Sequence, residues 1–247
     1  MFPIRDHNPS GRTPYVVYLL LAANIAIFLA TLGIMEDPRL VSRFYYDYAI
    51  IPGRISDGDG WLTLVTSVFL HGGWMHLGGN MLFLWIFGDN LEDEMGHLGF
   101  ALFYLAAGIG AGLIHVMSGP ESLVPTIGAS GAIAGVMGGY LLLFPRARVD
   151  ILLILFVYFR VFTIPAFVML GAWLGFQFLG GFSSDPDTGG VAYWAHTGGF
   201  AVGLVLTLPL WLKRGGRGFW QRTEGHPPHP EQKYRLSPSR IPKIPRR

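Results

Sequence analysis

A serine and a histidine are the first residues of this chain that could do chemistry together. Ser130 stands in the run Gly-Ala-Ser-Gly at residues 128–131, and His196 stands in an apolar stretch farther along. A serine hydroxyl becomes a nucleophile when a base lies within hydrogen-bond distance, and a neutral imidazole can be that base. The alternatives are a serine that caps a short helix and a histidine that merely accompanies glycine packing.

His76 and Asn80 form a second polar pair. Their spacing of four residues places them on one face of a helix, where two neutral donors could stabilise an oxyanion. The alternative is a hydrogen-bonded pair that joins two helices. His71 comes before this helix, and we expect its role to be structural.

Several other chemistries are excluded by composition. The net charge of +2 at pH 7 argues against a nucleic-acid partner, and the absence of cysteine excludes disulfides and thiolate metal sites. The chain has no His-Glu-x-x-His motif for a zinc protease, so no metal is expected. All sixteen acidic residues lie outside the long charge-free stretches. We therefore predict a Ser–His dyad without a third, acidic member.

Six charge-free stretches must position these residues. The chain is 51% hydrophobic and 14% charged, whereas a soluble domain carries roughly 25% charged residues. A helix that crosses a bilayer needs about 20 apolar residues, so five stretches fit one span each. The stretch 61–88 fits an interfacial segment, 61–70, followed by a helix that begins near Trp74. The six stretches are residues 15–35, 61–88, 97–117, 122–145, 161–184 and 188–212.

The basic residues predict that both chain ends lie inside. With the N-terminus inside, only Arg39, Arg43 and Arg54 fall on the outer side, and every other Lys and Arg falls on the inner side. The prediction is an all-α membrane protein with six transmembrane helices within residues 15–212. Residues 1–14 form a cytoplasmic N-terminal segment, and the basic, proline-rich residues 213–247 form a cytoplasmic tail. We expect this tail to be disordered and to touch anionic lipid.

Glycine stripes predict which helices meet. Gly131, Gly135 and Gly139 recur every four residues on the fourth helix, and Gly199 and Gly203 do the same on the sixth. Small residues at this spacing let membrane helices approach closely. Because both helices enter from the outer side, as the second does, their polar first turns should lie at similar depth.

The fourth helix is too short to cross the whole bilayer. Residues 130–144 would span about 22 Å, against a hydrocarbon core of ~30 Å. Pro125 and Gly128 disfavour a helix just before it, and non-helical backbone at that depth must be buried in protein or line a wet cavity. We therefore expect Ser130 to lie below the membrane surface beside such a cavity.

Together these motifs resemble the rhomboid family of intramembrane serine proteases. The matching pieces are Gly128-Ala129-Ser130-Gly131, His196-x-x-Gly199-x-x-x-Gly203, and His71 with His76-x-x-x-Asn80. The six-span layout matches too, so the resemblance covers about residues 15–212. The opening residues 1–10 look like those of bacterial members, which implies the cytoplasmic membrane of a bacterium.

The resemblance implies cleavage of transmembrane substrates in the lipid bilayer, through an acyl-enzyme and without a cofactor. Ser130 would be the nucleophile, and His196 would be the general base and then the acid. His76, Asn80 and the backbone N–H of Ser130 would bind the oxyanion. The alternative from another class is a non-catalytic relative that binds membrane-protein clients, although such relatives typically lack the serine or the histidine. A transporter is a weaker alternative. It would be expected to show an intramembrane ion site or an internal repeat, and the sequence shows neither.

Two positions differ from the family's pattern. Members often have Trp-Arg in the first outer loop, but here Trp61 is followed by Leu62. Many members carry an aromatic residue four positions after the serine, which stacks on the catalytic imidazole, but here that position is Ala134. The pattern therefore leaves the orientation of His196 unassigned.

A transmembrane substrate is expected to enter sideways, between the second and fifth helices, because leaving the lipid would expose its apolar face to water. Trp173 and Phe176 form a bulky stripe with Gln177 on the fifth helix, and the first two are possible gate residues. The glycine-rich segment 180–190 that follows could let the top of this helix move. The alternative is ordinary lipid-facing or core packing.

Overall fold

The computed structural model describes residues 2–155, 158–185, 187 and 189–234. In this part of the chain the protein is mostly helical and forms one small sheet. The helices are α1 (Tyr15–Thr31), α2 (Pro38–Tyr48), α3 (Pro52–Ser56), α4 (Thr63–Thr66), α5 (Trp74–Met95), α6 (His97–Ser118), α7 (Ser130–Leu143), α8 (Ala166–Ser183), α9 (Tyr193–Lys213) and α10 (Arg217–Thr223). The strands are β1 (Phe2–Asp6), β2 (Arg148–Leu155) and β3 (Tyr158–Pro165).

Three of the described helices, α6, α8 and α9, are long and apolar enough to cross a membrane by length and composition, and α1 and α7 are shorter apolar helices. Nearly every residue of α7 is buried. This helix is therefore the central element of the bundle, and α5, α6, α8 and α9 pack around it.

The helix α5 begins at Trp74, as predicted, but it continues to Met95. Its last two turns lie beyond the charge-free stretch 61–88 and carry acidic residues. One of these acidic residues caps another helix. Glu92 is buried, and its carboxylate accepts the backbone N–H groups of Val16 and Val17 at 2.9 and 2.8 Å. These N–H groups begin α1 and have no partner within their own helix.

The prediction of an all-α protein is wrong, because the described residues also form one three-stranded sheet. β1 and β3 each pair antiparallel with β2, in the order β1-β2-β3. The expected fifth span at 161–184 therefore starts later, because residues 161–165 belong to β3 and the helix α8 begins at Ala166. Residues 148–165 are rich in Val, Ile, Phe and Tyr, which favour strands.

Part of the segment predicted to be a disordered tail makes contacts with the rest of the protein. Phe219 in α10 is buried, and the Trp220 ring donates to the carbonyl of Leu142 at 2.9 Å. Farther along, the N–H of Gln232 donates to the carbonyl of His7 at 3.0 Å. These contacts order the tail as far as residue 234, because its aromatic residues pack although its overall composition is basic and proline-rich. Residues 235–247 lie outside the described part of the chain.

Candidate active site

The segment that leads into α7 is irregular, and its backbone is hydrogen-bonded to other parts of the protein. Thr126 pairs with Ile50 through N–H to carbonyl bonds of 2.7 and 3.0 Å, and the N–H of Gly128 donates to the carbonyl of Ser67 at 2.9 Å. Gly128 has φ +128°, a conformation that favours glycine. This path brings the chain into the bundle and starts α7 at Ser130.

Glycine contacts fix how α7 and α9 meet. A Cβ on Gly199 would overlap the carbonyl oxygen of Gly131, and a Cβ on Gly203 would overlap that of Gly135. The contacts ascend in the same order along both helices, so the two helices run parallel. Their first turns therefore lie at the same level, as the glycine stripes predict.

Parallel packing places the serine next to the histidine. Ser130 is the first residue of α7 and His196 lies in the first turn of α9. The Oγ of Ser130 and the Nε2 of His196 are 2.8 Å apart, which is hydrogen-bond distance. A hydroxyl at this distance can transfer its proton to the imidazole as it attacks.

The polar pair of α5 lies beside this contact. The N–H of Gly72 donates to Nδ1 of His76 at 3.4 Å, so Nε2 carries the proton of a neutral ring and is a donor. Asn80 is buried, and its Nδ2 has no hydrogen-bond partner among the described residues. Both side chains thus carry an N–H group that could donate to an added acceptor.

Gly128 keeps the space between His76 and the serine clear. A Cβ at this position would lie 2.6 Å from Nε2 of His76 and 3.5 Å from Oγ of Ser130. Any side chain would therefore fill the space in which an oxyanion could meet both groups.

A cavity of about 540 Å³ opens beside these residues. Ser130, His196, His76, Asn80 and Trp173 all line it. Its size matches the clefts that bind ligands in other proteins.

Comparison with known proteins decides the family. The family model of the Rhomboid domain matches residues 58–213. The chain belongs to the rhomboid family. Among its curated relatives, the yeast (Saccharomyces cerevisiae) "Rhomboid protein 1, mitochondrial" is 30% identical over 77% of this chain and 51% of its own length. The Arabidopsis thaliana "Rhomboid-like protein 11, chloroplastic" is 35% identical over 84% of this chain and 69% of its own length.

A bacterial relative is the "Rhomboid protease GluP" of Bacillus subtilis, which is 33% identical over 82% of this chain and 36% of its own length. The chain therefore spans about half of the yeast relative and about a third of GluP.

In this rhomboid the neighbours of the His196 ring do not include an aromatic residue at position 134. Ala134 is buried in the core. Instead, the Trp173 ring lies 5.8 Å from the His196 ring, tilted by 35°, and Oε1 of Gln177 lies 2.8 Å from Nδ1 of His196. The sequence placed both residues in a stripe but did not predict these contacts. The signal in the sequence that could have indicated a role for Gln177 is its polar side chain within an apolar helix, because polar residues are rare in membrane helices and often functional.

The two possible gate residues occupy different environments. Trp173 lines the cavity and also packs on Phe200 at 6.3 Å. Phe176 is 72% exposed, so it faces the surroundings of the protein. Within the segment 180–190, residues 186 and 188 lie outside the described part of the chain. Trp61 and Leu62, in the segment predicted to be the first outer loop, are both exposed.

Three further histidines, His71, His97 and His115, contact other side chains of the protein. His71 is buried and packs edge-on against His76 at 5.0 Å, and burial, with a smaller effect of His76, lowers the pKa of His71 to about 4. It therefore stays neutral beside His76. His115 bonds Thr126 at 2.8 Å, and His97 bonds Glu92 at 2.5 Å. In the described part of the chain, no group of three His, Cys, Asp or Glu side chains could hold a metal ion.

Proposed function

We propose that this rhomboid is a serine endopeptidase that cleaves transmembrane segments of membrane proteins. The observation that carries the proposal is the 2.8 Å distance between Oγ of Ser130 and Nε2 of His196 on the wall of a cavity. The free donor of Asn80 at the same cavity supports it. The Bacillus relative is named as a protease, which points to the same activity.

The chemistry follows from these atoms. Oγ of Ser130 bonds the scissile carbonyl carbon while Nε2 of His196 takes the hydroxyl proton. The backbone N–H of Ser130, Nε2–H of His76 and Nδ2–H of Asn80 stabilise the oxyanion. The C–N bond then breaks, and the imidazolium gives its proton to the departing amine. Water, deprotonated by His196, then attacks the acyl carbon. The ester bond to Oγ of Ser130 breaks as the imidazolium returns its proton to Oγ, and the second product leaves as an acid.

The placement in the membrane belongs to the same proposal. We assign six spans, in order α1, α5, α6, α7, α8 and α9, with both chain ends on the inner side of a bacterial cytoplasmic membrane. The distribution of Lys and Arg supports this orientation. In this arrangement Ser130 and His196 lie toward the outer side, and substrates enter from the lipid.

A fluorophosphonate probe tests the proposal. The probe reacts with an activated serine, so the purified protein should be labelled and Ser130→Ala should not be. Cleavage of a transmembrane reporter in proteoliposomes should show the same pattern. A folded protein that is neither labelled nor active would point instead to a non-catalytic relative that binds membrane-protein clients.

A further inference from the structure

His196 is held at both ring nitrogens. Nε2 faces the hydroxyl of Ser130 at 2.8 Å, and Nδ1 faces Oε1 of Gln177 at 2.8 Å. Gln177 comes from α8 and the histidine from α9, so the second contact joins two helices. The mechanism proposed above assigns no role to Gln177.

We infer that Gln177 is a positioning residue that fixes the tautomer and orientation of His196. An amide oxygen only accepts hydrogen bonds, so its partner, Nδ1, must carry the proton. Nε2 then presents its lone pair to Ser130, which is the tautomer that a general base needs. The inference rests on the proposed serine protease activity.

The same contact supports the charged form of the imidazole. When His196 takes the proton of Ser130, its ring becomes positive, and the Gln177 oxygen dipole stabilises it through Nδ1–H. A carboxylate would do this more strongly, but an isolated carboxylate is expensive to bury. A neutral amide costs less free energy to bury than a carboxylate, so it is compatible with an apolar helix such as α8.

Trp173 supports the same orientation from one helical turn earlier. Positions 173 and 177 lie on one face of α8, and the Trp173 ring packs at 5.8 Å from the imidazole. One face of α8 therefore contacts His196 twice. Only Ala166, Leu170 and Gly181 are buried on α8 among the described residues, so this helix is held less firmly than α7. The orientation of His196 consequently depends on where α8 lies.

Two substitutions at Gln177 separate positioning from packing. Gln177→Met keeps the side-chain length but removes the acceptor, and Gln177→Glu keeps an acceptor. Leu179→Met, at an exposed position of the same helix, is the matched control. A small soluble peptide substrate avoids any effect on entry from the lipid.

Gln177→Met should lower kcat on the order of 10²-fold, the lower end of what general base catalysis contributes, with KM little changed. The acid limb of its pH–rate profile should move to lower pH, because the protonated imidazole has lost its acceptor. In Gln177→Glu the acid limb should move to higher pH. Wild-type kcat with an unmoved acid limb in Gln177→Met, at equal thermal midpoints, would overturn the inference.

The wild-type protein provides a measurement that does not depend on a variant folding. With ¹⁵N-labelled histidine, the resonances absent from His196→Ala identify this ring, and they should show the Nδ1–H tautomer. A dominant Nε2–H tautomer would refute the role of Gln177. Fluorophosphonate labelling of the wild type separates the two proposals: without labelling the protease assignment fails, whereas labelling with wild-type behaviour of Gln177→Met refutes only the positioning role.

Discussion

At the residue scale, the proposed dyad and the proposed oxyanion donors differ in how well their polar atoms are paired. His196 has a partner at each nitrogen, while Nδ2 of Asn80 has none among the described residues. A paired group contributes to a fixed geometry, and an unpaired buried donor costs free energy until a ligand satisfies it. Substitutions at the two places should therefore have different effects on stability.

Ser130→Ala and His196→Ala should each abolish cleavage of a transmembrane reporter while the protein remains folded. The two side chains act as one unit, so the double variant should be no worse than either single variant. Reporter cleavage in proteoliposomes, with a thermal midpoint for each variant, measures both points. Substantial turnover by purified Ser130→Ala would contradict the dyad.

Asn80→Ala should lower kcat by about 10²–10³-fold, the range for losing one oxyanion donor in a soluble serine protease. Its thermal midpoint should not fall, because the lost donor has no hydrogen-bond partner among the described residues. Asn24→Ala is the control, since Nδ2 of Asn24 donates to the carbonyl of Leu20 at 2.7 Å. This control should be less stable with unchanged kcat. Unchanged kcat with lower stability in Asn80→Ala would make Asn80 a structural residue.

The sequence predicts Ser130, His196, His76 and Asn80 because their helical spacing and their place at the starts of helices are local properties. It does not predict the partner of Nδ1, because that contact depends on how α8 is rotated against α9. Rotation of an apolar helix follows from packing against its neighbours, which no periodicity in Ala166–Ser183 records.

At the element scale, backbone contact between α7 and α9 sets the distance from serine to histidine. Gly203→Ala would place a methyl group against the carbonyl of Gly135, and overpacking of this kind costs about 1–3 kcal/mol. Both the thermal midpoint and kcat should fall, because the helices must separate. Gly175→Ala on α8 is the control, since a Cβ there meets nothing within 4 Å. Equal behaviour of the two variants would refute close packing at Gly203.

Phe176→Ala should raise cleavage of a transmembrane substrate and leave cleavage of a small soluble peptide unchanged. The side chain is 72% exposed on α8, so trimming it eases entry from the lipid without removing a contact to His196. Trp173→Ala should instead lower cleavage of both substrates, because this ring packs on His196. The comparison is made at matched amounts of folded protein. A fall in transmembrane cleavage by Phe176→Ala would contradict a gate at this residue.

The sheet is the element that the sequence pattern does not predict. Residues 148–165 are so apolar that their last part, 161–165, falls within the predicted fifth span. The antiparallel partner of their first strand lies at residues 2–6. Pairing between such distant segments cannot be inferred from either segment alone. The glycine stripes, in contrast, predict the contact of α7 with α9 because both stripes have the same spacing.

At the scale of the whole molecule, Asp150 joins the sheet to the N-terminal segment. Its carboxylate accepts from Thr163 at 2.5 Å, Arg5 at 2.6 Å and His7 at 2.9 Å. Burial raises the pKa of Asp150, but these three hydrogen bonds together outweigh it, so the pKa is lowered from 3.8. Because the folded state favours the charged form, this contribution to stability is present above the unfolded value and is lost as the pH falls through the folded pKa.

Asp150→Asn should therefore lower the thermal midpoint at pH 7, since hydrogen bonds to a charged group are each worth about 1.5–3 kcal/mol. The difference from the wild type should shrink as the pH falls below about 4. Thermal unfolding in detergent at several pH values measures this. A difference that stays constant down to pH 3 would show that the charge of Asp150 does not contribute.

β1 is synthesised long before the strand with which it pairs, because Arg5 and its partner Asp150 are 145 residues apart in the chain. The contact from Gln232 to His7 spans 225 residues. Contacts between such distant residues form slowly. The strand β2 follows the C-terminal end of α7, which is the end opposite to Ser130. The N-terminal strand consequently cannot pair with β2 until the chain has been made as far as residues 148–155, after the whole of α7.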